Sequence, residues 1–283
     1  TTNGTEFRIN TYTTNTQTNP SIAIDSDGDF VISWQSQNQE VSTGNYFGIY
    51  AQRYNSNGAT NGGEFRVNTY TTNTQSNPSV AIDSDGDFVI SWSSLSQTGD
   101  TSYGIYAQKY NSSGGPVNSE IHVNSTTASI QKFPSVAMDD DGDFVISWVS
   151  NNQDASTTYG IYAQRYNTSG AVAGGEFLVN TFTTSNQSNP SAVMDNTGNF
   201  VIAWESNNQD GSQYGVFAQR YSNLGATQGN EFRVNTFTSD VQKASSVAMD
   251  SNGNFIVIWQ SNNQDGNLNG IYGQMYTSLG VTQ

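Results

Sequence analysis

The chain has no cysteine, one histidine and only 9 basic residues in 283. Each scarcity removes something. Without cysteine there is no disulfide framework and no thiol chemistry. Against the 9 basic residues stand 24 acidic ones, for a formal charge of −15. Such a field repels phosphate backbones, which excludes nucleic acid as a partner and disfavours anionic membrane surfaces. No apolar run approaches the ~18 residues of a membrane span. The opening TTNGTEF shows neither Met nor a signal-peptide pattern, so the chain reads as a module of something longer. Hydrophobic residues are scarce at 34%, yet aromatics reach 12%, and a disordered acidic chain would lack them. The polar remainder is Asn, Gln, Ser and Thr rather than Lys and Glu, a composition that suits an extracellular or cell-surface protein.

What is present is one unit written five times. EFRIN at Glu6 returns as EFRVN at Glu64, EIHVN at Glu120, EFLVN at Glu176 and EFRVN at Glu231, at spacings of 58, 56, 56 and 55 residues. The units run over 6–63, 64–119, 120–175, 176–230 and 231–283. Each holds, in order, an NPSVAID-like stretch, an acidic Gly turn, FVISW, a polar loop ending in Gln, GIYAQRYN and a Gly-rich link. Four strands per unit follow. EFRVN sets Phe65 and Val67 against Glu64, Arg66 and Asn68, one face dry and one wet. FVISW and GIYAQRY are β-branched and aromatic, as strands prefer. No segment keeps a helical period.

Repeats of this kind with four strands are the signature of propeller blades. The expectation is all-β: one domain over 1–283, a five-bladed β-propeller with four antiparallel strands per blade. The chain stops at SLGVTQ, the first part of the link NLGATQGNEF, and begins TTNGTEF, the second part. This split predicts that Phe7–Asn10 completes the last blade and closes the ring, giving a monomer. PSVAID would be the inner strand and EFRVN the outer one.

The pattern PSVAMDxDGDFVxxW…GIYAQRYNxxGxxxGxEFxVNT also resembles bacterial propeller-type repeats, cyanobacterial ones included, of large secreted or surface proteins. The resemblance covers the whole chain. It implies the repeat architecture and that location, and no particular chemistry.

DSDGDFVISW occurs at Asp25–Trp34 and Asp83–Trp92, and DDGDFVISW at Asp140–Trp148. The first three units carry Asp25, Asp27 and Asp29, then Asp83, Asp85 and Asp87, then Asp139, Asp141 and Asp143. The fourth and fifth units replace the later acids by Asn199, Asn252 and Asn254, while the glycine stays. A hairpin needs that glycine at positive φ, and Asp or Asn bonds its own turn. A Ca²⁺ site prefers six to eight oxygens and several charges. A tight turn is therefore the primary reading, calcium at the first three units the weaker one, and no cofactor is otherwise implied.

Trp34, Trp92, Trp148, Trp204 and Trp259 recur in every unit and read as packing between blades rather than sugar platforms. Two glutamine sets share one rim: Gln17, Gln75, Gln131, Gln187 and Gln242 before the inner strand, and Gln39, Gln97, Gln153, Gln209 and Gln264 in the long loop. Near them stand Asp154, Asp210 and Asp265, with Tyr12, Tyr70, Phe182 and Phe237. Amides and carboxylates beside aromatic faces suit sugar hydroxyls and C–H faces. The bland alternative is that these amides tie loops together. A third set, Gln52, Gln108, Gln164, Gln219 and Gln274, reads as satisfied strand residues, and His122 as a solvated one.

Some five-bladed propellers are glycosidases, which need two carboxyl groups in different environments. Here the recurring inner-strand acids have similar surroundings, and the residues that break symmetry, Glu40, Glu205, Lys132 and Lys243, form no obvious constellation. The expectation is thus a non-catalytic extracellular binding or adhesion module, lectin-like and multivalent, with polysaccharide or surface glycan as partner. A spacer or protein-interaction propeller is the alternative, and a glycosidase the third.

Overall fold

A computed structural model describes residues 5–40, 44–153 and 158–283. They form five antiparallel sheets and no helix. The first sheet holds β1 (Gln17–Ile24), β2 (Phe30–Gln37), β3 (Phe47–Tyr54) and β4 (Phe65–Arg66). The second holds β5 (Gln75–Ile82), β6 (Phe88–Leu95), β7 (Tyr103–Tyr110) and β8 (Pro116–His122). In the third come β9 (Gln131–Met138), β10 (Phe144–Asn151), β11 (Tyr159–Tyr166) and β12 (Phe177–Leu178). The fourth comprises β13 (Gln187–Met194), β14 (Phe200–Asn207), β15 (Tyr214–Tyr221) and β16 (Phe232–Arg233). The fifth has three strands, β17 (Gln242–Met249), β18 (Phe255–Asn262) and β19 (Asn269–Tyr276). Strand order within each sheet follows chain order, with the PSVAID-like segment at one edge of every sheet and the EFRVN-like segment at the other edge of the first four.

A strand lying between two sheets is buried on both faces, so its sequence is apolar in a run rather than in alternation. Phe88, Val89, Ile90 and Trp92 of β6 are all 0% exposed. Four apolar clusters fill the four interfaces between successive sheets. In the second-to-third interface, Val89, Ile105 and Ala107 meet Phe144, Ile146 and Trp148. The tryptophans belong to this packing: Trp92, Trp148 and Trp204 are completely buried.

Polar stitches repeat at each step. The inner strands are joined by a serine hydroxyl: Val80 N donates to Ser21 Oγ (3.1 Å), Val136 N to Ser79 (3.2 Å), Ala192 N to Ser135 (3.0 Å) and Val247 N to Ser191 (3.3 Å). On the far side Arg53 donates to Ser112 O, Lys109 to Thr168 O, Arg165 to Asn223 O and Arg220 to Leu279 O.

The acidic turns are hairpins that satisfy themselves. Asp25 Oδ1 accepts from the backbone N–H of Asp27 (3.0 Å) and Asp29 (2.9 Å). Asp83, Asp139, Asp195 and Asp250 repeat that pair of bonds. The later acid reaches the Gly-rich link: Asp29 accepts from Ser56 N, Asp87 from Ser112 N and Asp143 from Thr168 N. At Gly198, φ is +82°, and an added Cβ would lie 2.9 Å from both Asn223 Cβ and Asp139 Oδ2. Only glycine fits there.

The predicted ring closure is not what the fold shows. β19 pairs with β18 alone, and among the described residues no hydrogen bond joins the fifth sheet to the first. Residues 5–10 lie instead against the first sheet: the Phe7 ring is 5.6 Å from that of Tyr54, and Tyr54 Oη donates to Ile9 O. The apolar packing that would hold a ring is missing at that point: the four apolar clusters join only sheets that follow one another in the chain, and among the described residues none joins the fifth sheet to the first. Ile22 and Ile24 on one open face are both 64% exposed, and Ile271 on the other is 75% exposed.

Candidate functional site

The rim expected from the glutamines exists, and the protein itself uses it. Gln75, Gln131, Gln187 and Gln242 are 0% exposed. Gln187 donates to Phe182 O and Ser185 O, and its Oε1 accepts from Trp204 Nε1 at 3.1 Å. Gln75 and Gln242 accept from Asn68 and Asn235, and half-buried Gln17 from Asn10. Gln131 accepts from Trp148 Nε1 (3.2 Å). Gln131 and Gln187 thus bond the indole beneath them, while Gln17, Gln75 and Gln242 tie the loop that precedes their strand, and all but Gln17 are closed to a ligand.

The second set is engaged as well. Gln39, Gln97, Gln153 and Gln209 donate to Glu64, Glu120, Glu176 and Glu231, the first residue of each EFRVN segment. The other oxygen of each glutamate accepts a backbone N–H from the linker of the preceding unit: Thr11 (2.6 Å), Thr69 (2.9 Å), Ser125 (2.7 Å) and Thr181 (2.6 Å). Glu and Gln thus form a latch across each step. Gln264 has no such glutamate in the structure. The sequence reading singled out the Gln and missed the Glu, although both recur at one spacing. It also took Asn68 as wet. Asn68, Asn124, Asn180 and Asn235 are 1–3% exposed, and their Oδ1 accepts from Ile49, Ile105, Ile161 and Val216 N at 2.6–2.7 Å.

Of the remaining rim residues, Tyr12 and Tyr70 donate to Asn38 O and Ser96 O, and Phe182 and Phe237 are half-buried. Asp210 accepts from Asn235 Nδ2, Asp265 from Asn267 N, and Asp154 lies outside the described residues. Gln52, Gln108, Gln164 and Gln219 are buried and bonded to backbone carbonyls. His122 is not merely solvated. Its Nε2 lies 3.2 Å from buried Asp100, and its ring stacks on Tyr106 at 4.7 Å. Asp139 is pushed up to about 6 by burial. Among the described residues no group of three or more His, Asp or Glu is placed to hold a metal ion.

The departure from symmetry lies at the inner strands. Each inner strand has a bulge whose residue has positive φ: Asn19, Asn77, Phe133, Asn189 and Ala244. Asn tolerates that conformation; a bulky Phe at φ 57° is strained. In the first, second and fourth sheets the residue after the tryptophan bridges to the next bulge. Gln35 accepts from Asn77 N (3.0 Å), Ser93 from Phe133 N (3.2 Å) and Glu205 from Ala244 N (2.6 Å). In the third sheet that residue is Val149, which has no acceptor.

At this break, between the third and fourth sheets, is a cavity of about 320 Å³. Val149, Phe133, Tyr159 and Tyr214 form its apolar walls, and Lys132 and Ser188 supply polar groups. Lys132 Nζ sits 3.6 Å from the centre of the Tyr103 ring, and burial lowers its basicity. Behind Ser188 stands Glu205, 4% exposed; it accepts from Ser188 Oγ (3.2 Å) and from Asn189 Nδ2 (2.9 Å). Lys132 and Glu205 break symmetry in sequence; the fold puts Lys132 in the lining of the cavity and Glu205 behind Ser188, where it also accepts from Ala244 N of the fifth sheet. A volume near 300 Å³ with aromatic walls and few polar groups is of the size and character of a small-molecule site.

No protein-family model matches the chain, and no curated protein matches it in sequence. Solved structures do share its fold. A protein of unknown function from Dyadobacter fermentans superposes with a TM-score of 0.64 at 7% identity, over 94% of this chain and 81% of that one. A thermostable family-43 glycoside hydrolase does so at 0.55 and 13%, over 94% and 91%. An α-L-arabinofuranosidase from Lactobacillus brevis gives 0.51 and 11%, over 94% and 93%. The chain therefore has the β-propeller fold with repeated blades. The comparisons overturn the reading as a non-catalytic lectin-like adhesion module: the fold is one that glycoside hydrolases use, and in the first four units the long-loop glutamines of the rim are bonded to the protein's own glutamates.

Proposed function

We propose that this propeller engages polysaccharide at one asymmetric site, the cavity between the third and fourth sheets. The observation that carries this is the coincidence, at one point, of Val149, strained Phe133 and a cavity walled by Tyr159 and Tyr214. A sugar ring would lay its C–H face on those aromatics and turn its hydroxyls to Ser188 and Asn186. Pentose polysaccharides are the first class to try, because an arabinofuranosidase shares the fold. Hydrolysis belongs to the test, with Glu205, which accepts from the lining residue Ser188, as the acid to vary. A carboxylate pair would be needed for the usual mechanism.

Calorimetry with arabino- and xylo-oligosaccharides, together with reducing-end release from the polymers, tests this. Binding is expected for the wild type and should weaken at least tenfold in Tyr214→Ala, with the melting temperature nearly unchanged. Release abolished by Glu205→Gln would make the site catalytic. If no saccharide binds, or if Tyr214→Ala binds as the wild type does, the cavity is not a sugar site.

A further inference from the structure

The steps between sheets repeat one design, so one step can show what a neighbouring step lacks. At the second-to-third step, Lys132 of β9 reaches back to Tyr103 at the start of β7 and sets its ammonium 3.6 Å from the ring centre. At the third-to-fourth step the equivalent residues are Ser188 of β13 and Tyr159 at the start of β11. The register shows the equivalence: Lys132 pairs with Val149 as Ser188 does with Glu205, and Tyr103 with Leu95 as Tyr159 does with Asn151. A serine is too short to cover the ring, and Ser188 and Tyr159 both line the cavity of about 320 Å³. The seat that an ammonium fills at one step is therefore open at the next.

Two polar groups that line the open seat have their donors spent. Ser188 gives its hydroxyl proton to Glu205 Oε2 (3.2 Å), so toward a ligand its oxygen can only accept. Gln187 uses its amide donors on Phe182 O and Ser185 O. Glu205 is 4% exposed and accepts also from Asn189 Nδ2 and Ala244 N, which fixes a carboxylate behind the serine. An aromatic face attracts a cation through its quadrupole, and more strongly where water is excluded. Among the described residues Lys132 Nζ has the Tyr103 face without a hydrogen bond or ion pair, and burial lowers its basicity. The open seat adds the Ser188 oxygen and the carboxylate behind it. The chain's charge of −15 also concentrates cations around the molecule.

We propose that the saccharide taken by this cavity bears a free amino group, whose ammonium sits on the Tyr159 face and donates to Ser188 Oγ, as the Lys132 ammonium sits on Tyr103 one step earlier. The inference rests on the reading of the cavity as a saccharide site and adds to it a requirement for positive charge on the ligand. The sugar ring takes the place of the lysine stem and keeps the Tyr214 wall for its C–H face. A sugar of the same linkage that is neutral, or whose amine is acetylated, has no cation to place there.

Calorimetry at about pH 6, where an amine of this kind is protonated, compares β-linked tetramers of glucosamine, N-acetylglucosamine and glucose. The glucosamine tetramer should bind roughly tenfold tighter than the other two. That advantage should vanish as pH rises through the ligand amine's own pKa. Ser188→Lys supplies the seat with an ammonium from the chain, and should abolish the advantage without lowering the melting temperature. Tyr159→Leu, which removes the ring and adds no charge, should lose it as well. An advantage that survives both variants comes from the acidic surface at large and overturns the proposal. Equal affinity for the three tetramers overturns it too, while the cavity stands as a saccharide site. If none of the three binds, the proposal falls, and the arabino- and xylo-oligosaccharides decide the saccharide reading by themselves.

Discussion

The second and fifth sheets are built from closely similar sequence and end in different physical states. β7 reads YGIYAQKY and β19 reads NGIYGQMY. In β7 the central Ile105 is completely buried; in β19 the matching Ile271 is three-quarters exposed. Both strands have the same pleat and the same neighbour on their inner side. What differs is the fourth strand with its Glu latch and the sheet beyond. Burial here is a property of position in the array, not of the strand's residues.

The largest expected effect probes that contrast directly. Ile105→Ala should destabilise the fold by about 2–4 kcal/mol, since it opens a cavity in a filled interface. Ile271→Ala, unfolded by denaturant at high dilution, should change stability by less than about 0.5 kcal/mol. Equal losses would mean that β19 is covered in solution even in the single chain.

A smaller effect sharpens the role of the latch. Glu120 joins Gln97 to Thr69 N, whereas Glu6 has neither partner within its chain. Removing a partly buried carboxylate that accepts from an amide and a backbone N–H leaves both donors unsatisfied, so Glu120→Ala should cost about 1–3 kcal/mol. Glu6→Ala should cost almost nothing in the dilute chain. If thermal melts show the two variants alike, the latch is not what ties the steps together.

The smallest effect contrasts two turns of one design. Asp139 is buried and its pKa is raised to about 6, while Asp250, in the exposed fifth sheet, has its pKa lowered by the Asn254 amide. A carboxyl with a raised folded pKa holds its proton longer when folded than unfolded. Its ionisation therefore erodes stability as pH rises from the usual carboxylate range towards 6. Asp139→Asn keeps the acceptor oxygen and should flatten that decline, gaining roughly 1 kcal/mol at pH 7 after allowance for solvent screening. For Asp250 the sign reverses, with stability lost as pH falls through its lowered pKa. Urea midpoints between pH 4 and 7 would separate the two. No slope difference between wild type and Asp139→Asn would remove burial as the cause.

Much of this architecture was legible in the residues. The recurrence of EFRVN and FVISW gave strand positions and their order from inner to outer edge, because β-branched and aromatic runs between Gly-rich turns leave little choice. The acidic turn was also readable as a turn, since glycine persisted where the carboxylates did not. The candidate site was barely legible. Val149 for a polar residue and Phe133 for Asn look like ordinary drift in a repeat. They become a site only when the bulge of one sheet is set against the next.

The sequence by itself determined an all-β chain of repeated four-strand units, because side-chain period and turn chemistry act over a few residues. Tertiary structure alone decided which polar groups serve as bonds, where the cavity lies and that the ends do not meet. Glutamines that looked free for a ligand are spent on glutamates 22–25 residues away and on indoles 17 residues away, as Gln153 is on Glu176 and Gln187 on Trp204. Closure depends on a small step summed over every interface, and no single residue carries that sum.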